Sequence, residues 1–107
     1  MGGHEYPSLP QREWLVDEEK LRSKGIEPGV YEHYQGGEYL TLSTGWRMVE
    51  GADGDAVGEE VVWYVALYEH PEYGAYAEWD RPIEDFRQGT VEIDGQQVPK
   101  FVYARPN

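Results

Sequence analysis

The chain has 107 residues, 14% of them aromatic, and a net charge of −12, which fits one small domain with a single core. It has no cysteine, which excludes disulfides, thiolate nucleophiles and cysteine-ligated zinc. With 21 acidic residues against nine basic ones, it is ill suited to double-stranded nucleic acid or an anionic membrane surface, since both attractions rest on Lys and Arg.

Nine tyrosines and four tryptophans suit a β-rich core, because flat rings pack well on a pleated surface. No apolar run approaches the roughly 20 residues that a membrane-spanning helix needs. The polar N-terminus lacks the apolar centre of a signal peptide. Met1-Gly2 opens like a myristoylation signal, but Tyr6 stands where Ser or Thr is required. The expectation is a soluble, cytoplasmic monomer.

In chain order, residues 1–9 read as a flexible tail. Residues 10–24 read as a short helix, with Ser8 as cap, Pro10 in its first turn and Gly25 as its stop. Trp14 and Leu21 share one face of that helix, which would dock on the body through Trp14. The predicted division is 1–28 for tail and helix and 29–107 for a small β-barrel domain. From residue 30 the apolar period changes to two. Tyr31 and His33 fall on one side of a strand, and Val30, Glu32 and Tyr34 on the other. Gly36-Gly37 closes a hairpin into a second strand containing Tyr39, Leu40 and Leu42.

Residues 50–60, EGADGDAVGEE, read as an acidic loop. Asp53, Asp55 and Gly58 fit the first, third and sixth positions of a calcium-binding loop, but Val57 and Tyr64 occupy positions that require oxygen ligands. A solvated loop is the better reading. VVWYVALY, 61–68, is apolar on both sides and predicts a central strand covered on both faces. Its Tyr64, Ala66 and Tyr68 side is read as a second apolar face that the core need not use. A fourth strand is expected over 75–80, ending at Arg81-Pro82, then one helical turn at 83–88 with Phe86 inward. Asp94-Gly95 between alternating runs specifies a two-residue primed turn. It joins strands at about 91–93 and 96–103. The predicted fold is mainly β: a small SH3-like barrel, or a strongly curved antiparallel sheet of five to six strands, with a short N-terminal helix.

Read together, Tyr31-x-His33-Tyr34-x-Gly36, Tyr39, Tyr64-x-Ala66-Leu67-Tyr68, Trp79-x-Arg81-Pro82, Phe86 and Val98-Pro99-x-Phe101 form an ordered set over about residues 29–103. The set resembles the bacterial domain of unknown function 1653 family, whose members read Y-R-H-Y-K-G, V-Y-R-A-L-Y, W-V-R-P and V-P-R-F. The resemblance implies a small SH3-like barrel and carries no established activity. Here Glu32, Gln35 and Val65 replace basic residues common in that family. The acidic stretch at 50–60 takes the place of the family's His-Ser-Glu-Thr turn. Any anion-binding role would therefore lean mostly on Arg81.

The candidate contacts for a ligand or partner are Tyr31, His33, Tyr34, Tyr64, Trp79 and Arg81, with Trp46 and Tyr68 as further members of an aromatic patch. His33 is read as a structural residue first and a ligand contact second. His4 and His70 fall in a tail and a turn. Arg81 would pair with Glu78 or Asp85, or stack on rings while offering its planar fork to an anion. No zinc spacing, phosphate loop, dinucleotide fingerprint or nucleophile elbow is present, so no cofactor and no catalytic residue is assigned. The expected function is a non-enzymatic binding module for a small ligand or a protein or peptide partner. The alternatives are a small enzyme or accessory domain acting on nucleotide-like substrates, and single-stranded nucleic-acid binding, which the charge opposes.

Overall fold

The computed structural model describes Leu9 and residues 13–107. The expected tail, its Ser8 cap and Pro10 lie outside the described residues, Leu9 excepted. Among the described residues, nine strands and two short helices follow in the order α1 (Glu18–Ser23), β1 (Val30–His33), β2 (Glu38–Glu50), β3 (Ala56–Ala66), β4 (Glu69–His70), β5 (Gly74–Ala75), β6 (Glu78–Pro82), α2 (Ile83–Gln88), β7 (Thr90–Ile93), β8 (Gln96–Pro99) and β9 (Phe101–Arg105). Five strands form one antiparallel sheet in the order β6-β3-β2-β1-β9. Its two edge strands, β6 and β9, are not paired with each other, so the sheet is open. Small two-stranded ladders, β4-β5 and β7-β8, lie beside it.

The N-terminal helix is shorter than the predicted 10–24. Residues 13–17 are not helical, and Asp17 N–H donates to the Leu42 carbonyl at 2.8 Å. Asp17 is the true cap, its carboxylate accepting from Lys20 N–H at 3.0 Å. The other end matches expectation. Gly25 takes φ +76°, Gly25 N–H donates to the Arg22 carbonyl, and Ile26 N–H donates to the Leu21 carbonyl, both at 3.0 Å. That is the double bond of a Schellman stop, closed by apolar contact between Leu21 and Ile26.

The acidic stretch at 50–60 is not a loop along its whole length. β2 and β3 pair continuously from Gly45↔Val61 out to Glu50↔Ala56, and only 51–55 turn. Asp53 organises that turn by accepting from Asp55 N–H at 3.1 Å. Among the described residues no cluster of His, Asp and Glu could hold a metal ion.

β3 is central and covered on both faces, as its sequence predicts. Val62 and Tyr64 pack with Leu21, Ile26, Tyr31, Ile83, Phe86 and Phe101. Val65 packs with Val30 and Leu40 under Trp14, Val16 and Tyr76 on the opposite face. The expectation of a spare face at Tyr64, Ala66 and Tyr68 is wrong: all three are buried, at 4%, 0% and 4% exposure. Helix α2 turns Phe86 inward as expected. Asp94 and Gly95 take φ +52° and +81°, the two positive values a primed turn requires. Among the described residues no helix is long and apolar enough to cross a membrane.

Candidate functional site

Strand pairing brings all five strands of the sheet to one site. His33 of β1 is opposite Phe101 of β9, and Tyr64 of β3 is opposite Trp79 of β6. Side chains two residues apart share a face, so Arg81 lies on the Trp79 side, next to Tyr64. Tyr39 of β2 completes the row, with its ring 5.4 Å from Tyr64 and 6.0 Å from His33. These rings form the floor of a cavity of about 360 Å³, walled further by Tyr34, Gln35, Gly36, Tyr68, His70 and Lys100.

Five of the six predicted site residues, His33, Tyr34, Tyr64, Trp79 and Arg81, line this cavity together with Tyr68. Tyr31 does not line it. Its ring lies in the core against Phe86 and Tyr103, and its hydroxyl donates to the Glu27 carbonyl at 2.7 Å. Burial and the nearby Glu27 charge push that phenol up to about 12. Trp46 lies on the far arm of the β2–β3 hairpin, 65% exposed and away from the cavity. The parity argument that set Tyr34 apart from His33 fails because β1 ends at His33. Tyr34 is in the turn, held by its N–H to the Lys100 carbonyl, and its ring lies 4.5 Å from that of His33.

Arg81 is held from three sides. Its Nε donates to the Tyr64 hydroxyl at 3.2 Å, one terminal nitrogen donates to Asp85, and the guanidinium lies over the Phe101 ring, 5.1 Å from its centre. Partial burial works against its charge, but the Asp85 and Tyr64 hydrogen bonds outweigh it and hold Arg81 firmly protonated. Lys100 Nζ donates to the same Asp85 carboxylate at 2.8 Å. Burial would raise the Asp85 carboxyl, yet the two cations hold it below the ordinary carboxylate value. Two cations sharing one acid leave a positive charge uncompensated. Among the described residues no Asp or Glu lines the cavity, although the chain as a whole carries −12.

The two histidines are oriented alike. Nδ1 of His33 accepts from Gln35 N–H at 3.2 Å. Nδ1 of His70 accepts from Glu72 and Tyr73 N–H at 3.0 and 3.3 Å. Each neutral ring therefore carries its proton on Nε2 and acts there as a donor. Burial, then Arg81 and Lys100, hold His33 below its ordinary value.

Residues 29–103 match the family described as "Protein of unknown function (DUF1653)". The chain belongs to DUF1653. No curated protein and no solved structure matches it significantly. On this DUF1653 domain, the motif residues His33, Tyr64, Trp79, Arg81 and Phe101 converge on one cavity although they span 69 positions of sequence, from 33 to 101 counted inclusively. Of the three substituted basic positions, only Gln35 lines it; Glu32 does not, and Val65 packs on the opposite face of the sheet. Lys100, between Pro99 and Phe101, and His70 belong to the site and were not singled out from sequence. The x of V-P-x-F was the available signal for Lys100, since the resemblance places a basic residue there.

Proposed function

We propose that this domain is a non-enzymatic binding module that takes a small anionic ligand into the cavity above the sheet. One observation carries the reading. In a chain of net charge −12 the cavity is lined by Arg81, Lys100, His33 and His70 and by no carboxylate among the described residues. Its volume of about 360 Å³ is near the lower end of ligand pockets, roughly 300–1,000 Å³, which favours a small molecule over a protein partner. The histidines argue against acid-base chemistry. A general base needs a lone pair facing the reacting proton, and the Nδ1 lone pairs of both rings are occupied by backbone N–H groups. Asp85 is engaged by two cations and is no better placed as a base.

Calorimetric and NMR titration of the full chain with inorganic phosphate and sulfate tests the reading. Saturable binding, with shifts at His33, Arg81 and Lys100 exceeding those at remote amides, is the expected result. Equal shifts across the molecule would overturn it. The small-barrel architecture suggested by the family resemblance belongs to this reading as well: a cavity floored by every strand of a sheet is what a curling sheet provides.

A further inference from the structure

The lining of the cavity divides by chemistry. One part is cationic and rich in donors. Arg81 uses Nε and one terminal nitrogen on Tyr64 and Asp85, and its other terminal nitrogen has no hydrogen-bond partner among the described residues. Lys100 gives one of its three donors to Asp85. His33 adds Nε2–H. The other part is aromatic. Tyr34 is 38% exposed on the β1–β2 turn, and Trp79 is half-buried on β6.

Outside the cavity the chain is acidic, with a net charge of −12. Glu72, two residues from the lining His70, is exposed. A polyanion extending beyond the cavity would meet that charge. A ligand with one charged end would not.

We propose that the ligand is a planar aromatic ring carrying a single terminal anionic group, about the size of a nucleoside monophosphate. The phosphate or carboxylate is bound by Arg81, Lys100 and His33, and the ring by Tyr34 and Trp79. This deepens the anion-binding reading and rests on it. Ring stacking on tyrosine and tryptophan tolerates many ring identities, so the cavity selects for a flat ring plus one charge rather than for a particular base.

Calorimetry on the full chain with inorganic phosphate, acetate, adenosine, adenosine monophosphate, indole acetate and a short oligonucleotide separates the possibilities. Adenosine monophosphate should bind at least about fivefold more tightly than phosphate, the lower end of stacking on one aromatic ring. Indole acetate should exceed acetate likewise. Whichever of phosphate and acetate binds better identifies the charged end. Tyr34→Ala and Trp79→Leu should each reduce the ratio of adenosine monophosphate affinity to phosphate affinity. Tyr34 is exposed enough that its variant tests the point even if Trp79→Leu fails to fold. Equal affinity for phosphate and adenosine monophosphate would overturn the ring contact while leaving the anion pocket standing. No binding by any probe would overturn both. An oligonucleotide that binds more tightly than the mononucleotide, with a steep salt dependence, would overturn the single-charge limit.

Discussion

Asp85→Asn should weaken the fold and strengthen anion binding in the same molecule. Asp85 accepts from both Arg81 and Lys100, and the three side chains are only 24–31% exposed. A hydrogen bond to a charged group contributes about 1.5–3 kcal/mol when buried, and an exposed ion pair about 0–1 kcal/mol. Half-buried, each pair contributes about 1 kcal/mol. Losing the carboxylate charge, with the amide oxygen keeping one weaker contact, should lower stability by about 1–2 kcal/mol. At a urea dependence of about 1–2 kcal/mol per molar, the midpoint falls by about 1 M. The local charge meanwhile rises from one net positive to two. One charge about 6 Å from a bound anion is worth roughly 0.7–3 kcal/mol for effective dielectrics between about 80 and 20. In a cavity open to water the lower end applies, so phosphate affinity should rise about threefold. Urea melts and phosphate titrations of the two proteins read both signs. If stability and affinity fall together, Asp85 is needed to aim the cations. An unchanged affinity would mean that the anion does not bind beside Arg81 and Lys100. The acid limb gives a further check. Because the folded carboxyl lies below its ordinary 3.8, its contribution is complete above that value and is lost as the pH falls through the folded one. The variant should lack that part of the acid transition.

His33 gives a pH dependence of opposite sense in binding and in stability. Its folded value lies below 6.5, so on acidification the unfolded chain takes the proton first, and stability present above 6.5 is lost as the pH falls through the folded value. A bound anion favours the charged ring, so sulfate affinity should rise as the pH falls below 6.5 toward the folded value; an identical rise in His33→Gln, followed by calorimetry, would refute this. Leu21→Ala should lower stability by about 3 kcal/mol in urea melts, because the side chain is fully buried and leaves a cavity; a loss under about 1 kcal/mol would mean α1 is only loosely docked. Tyr31→Phe removes one hydroxyl donor to the Glu27 carbonyl, and should destabilise by about 1 kcal/mol with phosphate affinity unchanged; weaker phosphate binding would place Tyr31 within the site after all.

The most legible parts of the fold were those where local chemistry and long-range packing agree. Asp94-Gly95 can hardly be anything but a primed turn, and the two-sided apolar run 61–68 can hardly be anything but a central strand. The helix at 10–24 was overextended because Trp14 and Leu21 have helical spacing. The decisive contact, from Asp17 N–H to Leu42, is 25 positions away in the chain and leaves no local mark. The outer hairpin was hidden for another reason. Glycine and acids argue against strands, yet Gly58 and Gly45 are there to make room. A Cβ on either would come within 3.1 Å of Trp46 or 3.0 Å of Trp63. Of the site, the motif residues were legible and the rim was not. Tyr34 depends on where the strand ends, His70 on its partner segment, and Lys100 on the bond from its N–H to the Gly89 carbonyl. Of the substituted basic positions, Val65 is on the opposite face of the sheet from the cavity.

Lys100 also bears on how the pocket comes into being. Its N–H donates to the Gly89 carbonyl after α2, its carbonyl accepts from Tyr34, and its side chain reaches Asp85. One residue thus ties the first hairpin, the second helix and the last strand. The floor of the cavity takes at least one side chain from each of the five strands of the sheet. A fragment that lacks any one of these strands lacks part of the lining, so occupancy reports on assembly of the whole sheet. A ligand that binds only the finished form shifts the unfolding equilibrium by mass action. Thermal shift with small anions therefore tests the proposed binding and reads folding in a single experiment.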